Sequence, residues 1–319
     1  MIKPKVLVTR RWPAPAEQAL ADHFETTLNV DDHPLTREEL ARALQQYDAL
    51  LPTVSDRITA ETLQVEPLRT RILASFGAGY NHIDLEAAQA RGITVTNTPD
   101  VLTDATADLA ITLLLMAARR AGEGERQLRA GQWTGWRPTH MMGTHVSGKS
   151  IGIVGMGRIG QAVARRAHHG FGMTVVFFNR SPVDPGFPTR QCSTLEEVLR
   201  TADFISLHLP SNQETRHLIN AERIATMKTE AILINTARGD IVDEAALVEA
   251  LAQGTIAGAG LDVYEREPSI SPGLLALENV VLLPHLGSAT IEAREAMGMR
   301  VIANLQAFFQ GEEPPDRVG

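Results

Sequence analysis

The chain has 319 residues, 44% hydrophobic and 21% charged, a globular composition that excludes disordered, collagen-like and coiled-coil proteins. At roughly 150 residues per domain it points to two domains. Lys and Arg number 30 against 38 Asp and Glu, a formal charge of −8 with no basic block, which argues against a nucleic-acid or anionic-membrane partner and obliges a small anionic substrate to find a local positive site.

The N-terminus, MIKPKVLVTR, enters an apolar strand at once and lacks the long apolar stretch and small-residue cleavage site of a signal peptide. The single cysteine, Cys192, excludes an intramolecular disulfide and a cysteine-built zinc site. Both features fit a cytoplasmic, reducing location. Short apolar runs follow at Val6 to Thr9, Ala49 to Pro52, Ile72 to Ser75 and Thr94 to Asn97, then at Ile151 to Val154, Thr174 to Phe178 and Phe204 to Leu207, and last at Ala231 to Asn235, Gly258 to Asp262 and Val280 to Leu283. Amphipathic stretches separate them, the pattern of βαβ units in parallel sheets covered by helices on both faces. The expected fold class is α/β, built on parallel sheets.

Between Thr94 to Asn97 and Ile151 to Val154 lies the most apolar helix candidate, Val101 to Arg120. Its length of about 20 residues could cross a bilayer, but Asp104, Asp108 and several threonines argue against that. Asp100 or Thr103 is the expected N-cap, with Arg119 and Arg120 in the last turn. Such a helix is buried between domains or subunits, or is a plain core helix. The segment GQWTGWRPTHMMGTHVSGK after it has no periodicity and reads as a functional loop or an interdomain arm.

After the run IGIV come Gly155, Met156, Gly157, Arg158, Ile159 and Gly160, then a helical pattern. This is G-x-G-x-x-G between strand and helix: the first glycine makes the tight turn, the second admits a pyrophosphate against backbone, and the third lets helix pack on strand. Helix N-terminal amides would hold the phosphates of a dinucleotide. The next strand should end in the acidic residue that binds the 2′-hydroxyl of NAD, yet the sequence gives Asn179, Arg180 and Ser181. Without the carboxylate, and with an Arg and a Ser placed to meet a 2′-phosphate, the expected coenzyme is NADP(H), NAD(H) remaining possible. His168 and His169, adjacent on the helix, cannot share a face as metal ligands do; they read as a cationic helix end ahead of Gly170, and no metal site is expected.

Three later strands end in polar residues: Thr236, Ala237, Arg238, Gly239 and Asp240; Tyr264, Glu265, Arg266, Glu267 and Pro268; Pro284, His285, Leu286, Gly287 and Ser288. The carboxyl edge of a doubly wound sheet is where Rossmann-type sites lie. Here the chain resembles the D-isomer-specific 2-hydroxyacid dehydrogenases, and within them the glyoxylate/hydroxypyruvate reductases. The resemblance is carried in order by SFGAGYNHID, TPDVLTDATADLA, GIVGMGRIGQAVARR, NTARGDIVDEAAL, GLDVYEREP and LPHLGSAT, from about Leu51 to Thr290.

That resemblance implies a catalytic set of Arg238, Glu267 and His285. The chemistry agrees, since reducing a 2-oxo acid needs a fixed cation for the carboxylate, a polarised carbonyl and a proton delivered as hydride arrives. Arg238 offers a bidentate fork, His285 the proton, and Glu267 stabilises the imidazolium. The resemblance further implies that Ala78 and Gly79 hold the substrate carboxylate through backbone amides, that Ser288 lies beside the acid, and that Trp136 enters a neighbouring subunit's site in a homodimer. It adds Thr106, His208, Pro210, Thr215, Thr236, Ala237, Asp262 and Gly287 to the coenzyme contacts made by the glycine motif, residues 179–181, Arg238 and His285. Glu265, the competing carboxylate, is read as a solvated surface charge because the family's acid precedes proline.

The architecture that the resemblance implies is two doubly wound parallel-sheet domains of Rossmann or flavodoxin type, a substrate domain of residues 1–99 and 287–319 interrupted by a dinucleotide-binding domain of residues 100–286, with the reaction in a cleft. Within this class a larger D-2-hydroxy acid is the alternative substrate. The branch acting on 3-phosphoglycerate usually carries an extra C-terminal domain; formate dehydrogenases have Gln at the Glu267 position, and phosphite dehydrogenases a lysine at Ala78. A nicotinamide-sensing corepressor shares the fold, but the negative chain without a basic patch gives it little support.

Overall fold

The structure, a computed structural model, describes residues 3–319. Its strands, in chain order, are β1 (Lys5–Val8), β2 (Glu25–Leu28), β3 (Ala49–Leu51), β4 (Ile72–Ala74), β5 (Thr94–Thr96), β6 (Ser150–Val154), β7 (Thr174–Phe178), β8 (Arg190–Gln191), β9 (Phe204–Leu207), β10 (Ile232–Asn235), β11 (Gly258–Leu261), β12 (Val280–Leu282) and β13 (Arg317–Val318). The chain divides into two compact units, one running through Leu102 and resuming at Ser288, the other spanning Thr103–Gly287.

The first unit holds a six-stranded sheet of order β13-β5-β4-β3-β1-β2, parallel except for β13. Setting β13 aside, this is the 2-1-3-4-5 order of flavodoxin-like sheets. The central strands β3 and β4 are buried at every residue, because helices cover both faces. The helix Ile291–Gln310 packs on this unit through Met297, Val301, Ile302 and Leu305, and is capped by the Thr290 hydroxyl, which accepts from the Ala293 amide.

The second unit holds seven parallel strands in the order β12-β11-β10-β9-β6-β7-β8. Counted from β6 this is the 3-2-1-4-5-6 order of dinucleotide-binding sheets extended by one strand, with the strand order reversing between β6 and β9. The polar strand ends of the second unit all leave the carboxyl edge of this sheet.

The apolar runs read from sequence coincide with ten strands, and β2, β8 and β13 were not foreseen. All three lie at sheet edges, where one or both faces meet solvent, so their sequences ETTL, RQ and RV carry no continuous apolar signal. The apolar helix runs over Thr103–Ala118. Asp100, offered as its N-cap, instead adopts a left-handed backbone (φ 69°) outside the helix, and Thr103 is its first helical residue. Arg120, expected in the last turn, is a left-handed break (φ 53°) leading into a second helix, Ala121–Arg129. No helix among the described residues is long and apolar enough to cross a membrane.

The helix after the glycine motif likewise continues through Gly170 to Phe171, where Gly172 (φ 61°) closes it. His168 does not stand as a bare cationic end, because its Nδ1 lies 3.2 Å from the Met173 carbonyl oxygen and its ring stacks on Phe187.

Candidate active site

The glycine turn is built by close packing. Gly155 has φ 94° and its amide donates to Phe178 O at 2.9 Å, holding the turn against the end of β7. A Cβ there would meet His208 O at 2.5 Å, and one on Gly160 would meet Gly155 O at 2.1 Å. The outer glycines are thus consumed by the turn and by helix packing. Gly157 differs: it is the N-cap of the helix Arg158–Phe171, no side chain caps that helix, and a Cβ on it would meet nothing within 4 Å. Backbone amides at an uncapped helix N-terminus, with side-chain-free approach, fit a pyrophosphate. Thr236, at the end of β10, adds a buried hydroxyl without a hydrogen-bond partner.

At the end of β7, Asn179 ties the loop together: Oδ1 accepts from Met156 N at 3.1 Å, and Nδ2 donates to Ser181 O at 2.9 Å. Arg180 is exposed and its Nη1 lies 3.1 Å from Glu214 Oε2, a partner that the sequence did not suggest. His208 Nε2 lies 2.8 Å from Ser206 Oγ, and burial pushes its pKa down to about 3, so the ring is neutral. The Thr215 hydroxyl donates to Pro210 O at 2.8 Å and so shapes the loop after β9.

After β10, Asn235 braces the turn that carries Arg238. Its Oδ1 accepts from Ala237 N at 3.0 Å and its Nδ2 donates to Arg238 O at 2.9 Å. Gly239 allows this turn to press on the next strand end, since a Cβ would lie 1.9 Å from the Tyr264 carbonyl carbon. Burial lowers the Arg238 pKa, opposed by the charges of Glu267 and Asp240. Guanidinium stays protonated even so, leaving a desolvated fixed cation.

Glu267 is held at both oxygens: Oε1 accepts from Tyr264 N at 3.0 Å, and Oε2 lies 2.8 Å from His285 Nδ1. Burial, the largest influence, raises its pKa, but the His285 hydrogen bond and charge, the Tyr264 amide and Arg238 together hold it below the usual value of 4.5. His285 itself has a left-handed backbone (φ 55°), a conformation a non-glycine residue keeps only when its surroundings enforce it. Asp262 does the enforcing. Its carbonyl accepts from His285 N at 2.9 Å, and its carboxylate, 1% exposed, accepts from Leu286 N at 2.6 Å and Gly287 N at 2.8 Å. Burial pushes the Asp262 carboxyl above its ordinary range, against those amides and the charge of His285. Thr106 Oγ1 completes the brace by donating to Gly287 O at 3.1 Å.

Glu265 is not a solvated surface charge. It is mostly buried, with Oε1 2.9 Å from His217 Nε2 and 3.9 Å from Arg216 Nη2. The partners come from the loop after β9, so local sequence could not reveal them.

The remaining substrate candidates, Ala78, Gly79 and Ser288, belong to the first unit. Ala78 O accepts from Asn97 Nδ2 at 2.7 Å in the turn that follows β4 and contains Gly79. Ser288 Oγ accepts from Arg294 Nε at 3.0 Å, a neighbour missed in the sequence because it lies one helical turn into Ile291–Gln310. Trp136 stands 82% exposed in the loop between the helix Ala121–Arg129 and β6. Among the described residues no His, Cys, Asp or Glu cluster is arranged to hold a metal ion.

Residues 111–287 match the family described as D-isomer specific 2-hydroxyacid dehydrogenase, NAD binding domain. A glyoxylate reductase of Thermococcus kodakarensis is 49% identical over 99% of this chain and 96% of its own. The chain belongs to the D-isomer specific 2-hydroxyacid dehydrogenases. Within that family it falls in the glyoxylate reductase branch, and it is an NAD(P)-dependent dehydrogenase. The glyoxylate reductase of Pyrococcus horikoshii is 48% identical with the same coverage. Among solved structures, the TT0316 protein of Thermus thermophilus is 46% identical with a TM-score of 0.90, covering 99% of this chain and 100% of that one. The NADPH-dependent glyoxylate/hydroxypyruvate reductase of Sinorhizobium meliloti, solved with NADP and malonate, is 36% identical with a TM-score of 0.89, covering 99% of this chain and 97% of that one. The dehydrogenase family thus accounts for both sheets as well as the glycine turn.

Proposed function

We propose that this dehydrogenase reduces small 2-oxo acids, glyoxylate and hydroxypyruvate, to 2-hydroxy acids of D configuration where a stereocentre forms, with NADPH as the preferred coenzyme. The observation that carries the reading is the Glu267–His285 pair at 2.8 Å beside the half-buried Arg238 guanidinium. The names of the archaeal relatives and the NADP bound by the Sinorhizobium enzyme support it.

In this mechanism the Gly155–Gly160 turn, residues 179–181, Thr236 and the braced 285–287 turn would hold the coenzyme. The nicotinamide, when bound, supplies a hydride to the carbonyl carbon. Arg238 grips the substrate carboxylate and polarises the carbonyl. Glu267 occupies His285 Nδ1 and so aims Nε2 outward as the proton donor to the carbonyl oxygen. The negative charge of Glu267 offsets the imidazolium before that transfer. The proposal includes a homodimer in which Trp136 reaches the neighbouring site, and residence in the cytoplasm, where the lone buried Cys192 would stay reduced.

Steady-state assays on a panel of 2-oxo acids with both coenzymes test the reading. Glyoxylate-dependent NADPH oxidation is expected, with kcat/KM favouring NADPH over NADH by at least about tenfold, the worth of one charged hydrogen bond. Asn179→Asp combined with Arg180→Ala should reverse that order. Equal efficiency with both coenzymes would remove NADPH from the proposal; tight coenzyme binding without turnover on any 2-oxo acid would replace the enzyme by a sensor.

A further inference from the structure

Strand β6 lies between β7 and β9, and its glycine turn is packed against both neighbours: Gly155 N donates to Phe178 O at the end of β7, and Gly155 stands against His208 O beyond β9. Arg180 follows Phe178 by two residues and Glu214 follows His208 by six. Their ion pair, 3.1 Å from Nη1 to Oε2, therefore joins the two loops that flank the coenzyme turn on either side. Glu214 is presented firmly, because Asn212 Oδ1 accepts from Glu214 N at 2.9 Å and from Thr215 N at 3.0 Å in a tight turn. Arg180 is the side chain assigned above to a 2′-phosphate.

We infer that Glu214 is a coenzyme-specificity residue, an internal anion that occupies Arg180 until a 2′-phosphate replaces it. The inference rests on the NADPH reading and deepens it. A ribose hydroxyl is a weaker competitor for a guanidinium than a carboxylate, so NADH binds with the Arg180–Glu214 pair intact. NADPH must break that pair, and its 2′-phosphate then becomes the dianionic partner of Arg180. Both side chains are more than three-quarters exposed, so the pair is weak and easily exchanged. Glu214 thereby restrains the NADPH preference set by Asn179 and Arg180.

Dissociation constants for NADPH and NADH, measured on the intact enzyme and on Glu214→Gln, Arg180→Gln and the double variant, test this. An exposed ion pair is worth up to about 1 kcal/mol, so Glu214→Gln should tighten NADPH by about two- to fivefold. NADH affinity should not change, and the gain should vanish in the Arg180→Gln background. An equal gain with NADH, or a gain that persists fully without Arg180, would overturn the exchange in favour of simple repulsion. If Arg180→Gln weakens NADPH while Glu214→Gln has no effect, the exchange is wrong and the NADPH reading stands. If Arg180→Gln leaves NADPH binding untouched, the NADPH reading itself falls, and the exchange with it.

Discussion

Glu265 and Glu267 leave the end of β11 two residues apart, and each meets a histidine from a distant loop. Both histidines have a left-handed backbone, φ 49° at His217 and 55° at His285. Both donate their own amide to a main-chain carbonyl, His217 to Asp240 at 2.7 Å and His285 to Asp262 at 2.9 Å. The pairs differ in the ring nitrogen engaged. Glu265 takes Nε2 of His217, the tip of the ring, so that the pair is closed on itself and braced by Arg216. Glu267 takes Nδ1 of His285, nearest the backbone, and the tip is presented outward. A carboxylate at Nδ1 orients a histidine for proton transfer, while one at Nε2 consumes the atom that would transfer it. On the proposed mechanism the same two residue types make a proton donor in one place and a structural tie in the other.

Removing each ring gives the largest contrast. His285→Ala is expected to lower kcat by roughly 10²- to 10⁴-fold, the usual contribution of a positioned general acid, with NADPH binding retained. His217→Ala should leave kcat within a few-fold and appear in thermal melts instead. Comparable kcat losses in the two variants would erase the distinction drawn between the pairs.

The cation beside each pair offers a second comparison. Arg238→Lys should lose about as much kcat/KM as Arg238→Ala, on the order of 10- to 100-fold or more, because a point ammonium cannot reproduce a two-bond grip on a carboxylate. Arg216→Lys, which keeps a charge near Glu265, should change little. Rescue of activity by lysine at position 238 would show that charge alone is sufficient there.

Neutralising the carboxylates separates the pairs by pH. The Glu267 pKa is lowered in the folded protein, so its stabilising contribution is complete at neutral pH and fades only as pH falls below 4.5 through the lowered value. The melting-temperature gap between the native protein and Glu267→Gln should therefore be full at pH 7 and close in that acid window. A gap that instead opened on acidification would contradict the sign of the shift. Kinetically, Glu267→Gln should lower kcat, and Glu265→Gln should not.

The smallest effect concerns the reactive pair alone. Trp136→Ala mixed with His285→Ala should recover one site with both residues intact if the indole acts across a dimer. Activity no higher than that of either parent would place Trp136 in its own subunit's site or outside both.

Local signals carried far in this sequence. The βαβ alternation and the glycine turn were legible because each depends on spacing within a few residues: a strand, a turn at φ 94°, a helix start. Arg238, Glu267 and His285 stand out as candidates only through the motifs around them, since an Arg in a turn or a Glu after a strand carries no chemistry by itself. What the motifs could not convey was partnership. Arg180 was read without Glu214, Glu265 without His217, and Ser288 without Arg294, although each pair lies within 3.1 Å. Asp262 was read as a coenzyme contact, and its two amide hydrogen bonds make it also the brace of the 285–287 turn.

The sequence by itself determined a layered parallel α/β chain, a glycine turn after β6 and the residue types available for acid and anion chemistry, because backbone propensity and burial on two faces are written at short range. Tertiary structure decided which carboxylate faces which histidine nitrogen and which anion holds Arg180. Those choices depend on how neighbouring strand ends lie side by side in the sheet: His217 and Glu265 are 48 residues apart in the chain and 2.9 Å apart in space. Identical Glu and His side chains therefore pair through opposite ring nitrogens, according to the position of the loop that brings the histidine.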